Sequence, residues 1–208
     1  MSRKLNSGFL FLSLAVLVIA ASSAAAQIRP TDPQRCGDFA TATGQSGWML
    51  VSAPGISGPM APVNVTPYAG WQSPALPGTS WISVNAQRGG QPGDLTFEYT
   101  FCICRQKDIG LSLSFYADNG AQVFLNSTSI FSTTGSYNFN GAPKTVSYNG
   151  PALIFGTNTL RIVVHNDSGP TGLDALLKVT GGGAGCCHST RPVIENATEL
   201  VAPIKPQQ

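Results

Sequence analysis

"ADNGAQVFLN", residues 117–126, is the stretch whose reading decides the fold. Before it, "IGLSLSFYA" puts Leu111, Leu113 and Phe115 on one side of the chain and Ser112, Ser114 and Tyr116 on the other. After the turn, Val123 and Leu125 alternate with Gln122, Phe124 and Asn126. A period of two belongs to a half-buried strand. Asp118-Asn119-Gly120 between two such runs is a strong short-range signal for a hairpin turn. The stretch therefore predicts two strands joined by a hairpin, with both apolar faces in one core. Asp118 reads as a turn residue whose side chain caps its own loop.

The same alternation continues outward. "LTFEYTFCIC" sets Phe97, Tyr99, Phe101 and Ile103 against Glu98, Thr100, Cys102 and Cys104. "NTLRIVVHN" sets Leu160, Ile162 and Val164 against Arg161, Val163 and His165, and "LDALLKVT" sets Leu173, Ala175, Leu177 and Val179 against Asp174, Leu176 and Lys178. Turn residues separate these runs at Gly135, Asn140-Gly141, Asn149-Gly150-Pro151, Gly156 and Ser168-Gly169-Pro170-Thr171-Gly172. No stretch sustains a helical period. Short one-sided strands divided by such turns predict an all-β, antiparallel β-sandwich. Residues 36–85 are broken by proline and glycine into shorter pieces and hold all three tryptophans, Trp48, Trp71 and Trp81.

Residues 1–26 combine Arg3 and Lys4, an apolar run over 9–21 and small residues ending in Ala24-Ala25-Ala26, the pattern of a secretory signal peptide. The run is shorter than the about 20 residues a membrane-spanning helix needs, so no transmembrane span is expected. The expected location is secreted: extracellular, cell surface or periplasm. Cleavage after Ala26 would leave ten basic and ten acidic residues. Charged residues make up 11% of the chain, against about 25% in ordinary proteins. That excludes a basic footprint for nucleic acid or anionic lipid and favours an uncharged or weakly charged partner. Residues 27–180 are expected to form one sandwich domain, clearest from Trp81 onward. A Gly-rich linker from Gly181 and a polar, flexible tail to Gln208 should follow.

Cys36, Cys102, Cys104, Cys186 and Cys187 would meet an oxidising compartment, where disulfides persist. Five is odd, so one thiol is left over, and a disulfide-linked oligomer is one use for it. Adjacent Cys186 and Cys187 should look elsewhere for partners, one to Cys36 and the other to Cys102 or Cys104. The connectivity stays open. Neither C-x-C nor C-C-H has the spacing of a zinc knuckle.

"FYADNGAQVFLNSTSIF", the Gly-Ser-Tyr-Asn-Phe segment at 135–139 and "FGTNTLRIVVHNDSGPTGLDALLKV" together resemble the galactose-binding-like jelly roll. The resemblance covers residues 81–180. It implies a jelly-roll sandwich ending in a hairpin at "NDSGPTGL". Domains of this kind occur as sugar-binding domains of glycoside hydrolases, as carbohydrate-binding modules and as stand-alone exported bacterial proteins. It also implies a structural calcium, for which Asp94, Asp118 and Asp174 are the candidate carboxylates. The chain departs from the pattern at "LNST", where a glycine usually follows the asparagine, and in its paired cysteines.

A glycosidase needs two carboxyls facing each other across a cleft, and the acids here are scattered over turns and outward strand positions. His165 and His188 are the only histidines, and no G-x-S-x-G is present. The chain therefore reads as non-enzymatic. One reading makes it an exported module for a neutral carbohydrate, with Trp71, Trp81, Tyr137, Asn166 and Asp167 as ligand-binding residues. That reading expects a shallow groove with an exposed aromatic side chain and convergent Asn, Gln or Asp. The alternative is a structural or adhesive surface protein that assembles with other chains; it expects all three tryptophans buried.

Overall fold

The computed structural model describes residues 37–184, apart from Ser57 and Gln106. In these residues the alternation becomes strand, with no helix, so no helix is long and apolar enough to cross a membrane. The strands are β1 (Gly37–Ala42), β2 (Trp48–Ser52), β3 (Val63–Val65), β4 (Trp81–Ser83), β5 (Gly93–Ile103), β6 (Gly110–Asp118), β7 (Gly120–Leu125), β8 (Thr128–Ser132), β9 (Lys144–Tyr148), β10 (Gly156–Asn166) and β11 (Gly172–Ala184). Every pairing is antiparallel. One layer runs β9-β6-β11-β1, with β4 and β3 joined to the start of β11 through Leu173. The other runs β2-β5-β10-β7-β8. The protein is an all-β antiparallel sandwich.

The predicted inward residues meet between the layers. Leu113, Phe115, Leu173 and Leu177 from one layer join Phe97, Phe101, Val123, Leu125 and Ile162 from the other, all fully buried. Burying each such side chain stabilises the fold by about 1.5–3 kcal/mol relative to exposure.

Two connections correct the hairpin reading. β6 pairs with β9 and β11, whereas β7 pairs with β10 and β8, so Asp118-Asn119-Gly120 carries the chain between layers instead of folding it back on itself. "NDSGPTGL" does the same, because β10 and β11 are not partners either. Alternation sends both strands' apolar faces into one core in either arrangement, which is why periodicity does not separate them.

Three further expectations change. Tyr116 and Asp174, read as outward, are opposite one another in the β6–β11 register and are both buried. The chain between β3 and β4 covers this outer face, and Trp71, Trp81 and Tyr116 form a second apolar cluster beneath it. β11 does not end at Thr180: Gly182 to Ala184 pair with β5. A Cβ on Gly182 would lie 2.7 Å from the Cys102 carbonyl oxygen, so the glycine run is a close strand contact and not a linker. Residues 1–26, read as a signal peptide, and 185–208, the remainder of the segment 181–208 read as linker and tail, lie outside the described residues.

Candidate functional site

The two inter-layer connections lie side by side at one rim. Asp118 ends β6 opposite Gly172, and Gly120 opens β7 opposite His165. Between them the Asn119 N–H donates to the His165 carbonyl at 2.8 Å, across a cis Asp118–Asn119 peptide. The Asp167 N–H donates to Asn119 Oδ1 at 2.8 Å, and Thr171 Oγ1 donates to the Asp118 carbonyl at 2.8 Å.

Two loops lean over this rim and are tied to it. Asn138 Nδ2 donates to the carbonyls of Asn119 and Gly135, each at 2.8 Å. The Gln72 N–H donates to the Phe139 carbonyl at 2.7 Å, and Trp71 Nε1 donates to Asp118 Oδ2 at 2.6 Å. These bonds hold open a cavity of ≈ 380 Å³, within the size range of small-molecule sites. Its lining is part aromatic, from Tyr68, Trp71, Tyr137 and Phe139, and part polar, with Asp118, Asn119 and Asp167. Tyr137 is 79% exposed and Tyr68 46%.

Asp118 is buried, and its carboxyl is pushed up to about 6. Burial is the main cause; the Trp71 hydrogen bond opposes it and the Asp167 charge adds to it. Burial also raises the Asp174 carboxyl, opposed by hydrogen bonds from Thr79, the Leu76 N–H at 2.9 Å and Thr43. Those bonds make Asp174 an anchor for the loop that carries Trp71.

The sequence-derived candidates divide. Tyr137 and Asp167 line the cavity, and Trp71 forms part of its wall although only 5% exposed. Trp81 does not reach it, because it stacks beneath Trp71 with ring centroids 4.2 Å apart. Asn166 is fully buried and structural, its Nδ2 donating to the carbonyls of Gly90 and Gln91 at 3.2 Å each. The calcium candidates do not share one site: Asp118 is in the cavity wall, Asp174 under the loop, and Asp94 is paired with His165 at 2.7 Å. Among the described residues no group of three or more His, Cys, Asp or Glu is placed to hold a metal. The second ring nitrogen of His165 faces Asp167 at 3.5 Å. Cys102 and Cys104 are disulfide-bonded; Cys36, Cys186, Cys187 and His188 lie outside the described residues.

Tyr68, Asn119 and Phe139 escaped the sequence reading. Asn119 sat in the quoted turn, and Tyr68 lies three residues before Trp71 in the same loop. Neither position has a local pattern that marks it as facing a cavity.

No protein-family model and no curated protein matches the sequence. Solved structures similar to the chain include carbohydrate-binding modules. A family 35 carbohydrate-binding module from an environmental isolate is 18% identical, covering 72% of this chain and 98% of its own, with a TM-score of 0.44. A second family 35 module, solved with a glucuronic acid-containing disaccharide, is 16% identical over 72% of this chain and 99% of its own, with a TM-score of 0.43. The β-D-glucuronidase of Dictyoglomus thermophilum is 13% identical, with a TM-score of 0.41; the match covers 69% of this chain and 28% of that enzyme.

Proposed function

We propose that this chain is an exported, non-catalytic module that binds a neutral carbohydrate in the rim cavity. One observation carries the reading: an exposed aromatic face, Tyr137, stands in the same pre-formed cavity as Asp118, Asn119 and Asp167. A pyranose offers an apolar C–H face and a ring of hydroxyls. The tyrosine suits the face, and the carboxyl and amide side chains suit the hydroxyls. Of the three aromatic candidates read from the sequence, the platform is Tyr137; Trp71 and Trp81 are buried.

Calorimetric titration against neutral oligosaccharides tests this. Tyr137→Ala should weaken binding by about tenfold, the worth of one aromatic contact, with the melting temperature unchanged because the ring is exposed. Failure of all saccharides to bind, or binding indifferent to this substitution, would sink the proposal. The assembly reading retains one supporting observation, the burial of Trp48, Trp71 and Trp81. It expects a thiol-sensitive oligomer on a non-reducing gel.

A further inference from the structure

The charged groups on the cavity lining are all acids. Asp118 and Asp167 face it, and its described lining contains no Lys, Arg or His. The nearby basic side chains are engaged elsewhere. Arg88 lies over the Tyr68 ring at 5.8 Å and donates through Nη1 to the Thr66 carbonyl at 3.0 Å, while His165 sits behind Asp167 with its Nδ1 on Asp94 at 2.7 Å. Asp118 uses only Oδ2, as acceptor from Trp71 Nε1. Its Oδ1 accepts no hydrogen bond from the described residues, although the residue is only 5% exposed. An otherwise buried carboxylate of the lining thus keeps an acceptor that no described residue fills, with a second carboxylate in the same lining.

We infer that this cavity prefers a saccharide carrying a free primary amine, a glucosamine-type unit, over the N-acetylated or acidic counterpart. The inference rests on the proposed saccharide site and departs from that reading in one respect, the charge of the ligand. A protonated amine has three donors and a positive charge for Asp118 and Asp167, and its bonds to them are charge-assisted. The faces of Tyr68 and Tyr137 attract a cation as well. An acetamido group keeps one N–H and no charge. A uronic carboxylate would meet two like charges with no cation on the lining to offset them. Asp118 also gains most from a cation: burial and Asp167 both oppose its ionised form, and an ammonium relieves both. Overall neutrality, which pointed to an uncharged or weakly charged partner, averages over the surface and does not describe this lining.

The test is titration of the purified protein near neutral pH and at low salt with three probes: glucosamine tetramer, N-acetylglucosamine tetramer and galacturonic acid tetramer, the last with and without calcium. The glucosamine tetramer should bind about tenfold tighter than its acetylated form, and the acidic tetramer should not bind. Asp167→Asn, at an exposed position where folding is not in question, should bring the first two affinities together, and the near-isosteric Asp118→Asn should do the same. Equal affinity for the amino and acetylated probes overturns the inference, as does calcium-dependent capture of the acidic one. A preference that survives both asparagine variants overturns it too, since it would mark attraction elsewhere on the surface. If the acetylated tetramer binds, is lost with Tyr137→Ala and is matched by the amino form, only this inference falls. If no probe binds, this inference falls, and the saccharide site falls with it only if the neutral oligosaccharides fail as well.

Discussion

Asp118 links strand, loop and cavity through one carboxyl group. Its partner Trp71 lies 47 residues away in sequence, so no local pattern announces the bond, and the turn reading of this residue came from its neighbours alone. The burial of this carboxyl has a pH signature. The carboxyl ordinarily titrates at 3.8 and in the fold at about 6, so protonation favours the folded chain. Its stabilising contribution is whole below about pH 4 and is lost as pH rises through about 6. Asp118→Asn keeps an acceptor for Trp71 Nε1 and removes the titration. The melting temperature of the wild type, measured relative to this variant, should therefore fall between about pH 4 and pH 6 and level off above about pH 7. Parallel curves across that range would show that Asp118 does not carry the burial assigned to it.

At the scale of elements, what could be read was which residues face the core, because alternation is a property of each strand by itself. Pairing is not such a property. β6 and β7 look like a hairpin in sequence and lie in different layers, while the hairpin of this region is β7–β8, closed at Leu125 and Thr128. Asn126 turns that corner at φ 55°, in the left-handed region. Its Nδ2 donates to the Ala152 carbonyl at 2.8 Å and to Asn158 Oδ1 at 3.1 Å, and its Oδ1 accepts the Thr159 N–H at 2.9 Å. The side chain thus ties the hairpin to the start of β10, in a chain that lacks the usual following glycine. Asn126→Ala should lower stability in urea by about 2–3 kcal/mol, from lost hydrogen bonds and a strained φ. Asn126→Gly loses the same bonds without the strain and should cost about 1 kcal/mol less. Equal losses would mean that the bonds alone matter.

Across the whole molecule, the rim cavity and the crossing of β11 to β5 sit at opposite ends. β10 runs eleven residues from Gly156 to Asn166, about 35 Å at the rise of an extended strand. Its far end leads into the rim cavity, while its start lies beside Ile103 and Cys102, where β11 crosses to β5. The sequence located the sandwich but not this division, because the rim is built by loops from four separate stretches that only the folded layers bring together. Burial of Tyr116 and Asp174 by the loop over the outer face was hidden for the same reason: a strand position shows its period and not what will cover it. The closed end carries exposed Ile154 and Phe155, the latter at 63%. Since this tip is a strand's length from Tyr137 and Asp118, Phe155→Ser should leave saccharide affinity within about twofold of wild type, with stability changed by no more than about 0.5 kcal/mol, as for an exposed position. A loss comparable to that of Tyr137→Ala, read in the same titration, would place the ligand at the closed end instead of the rim.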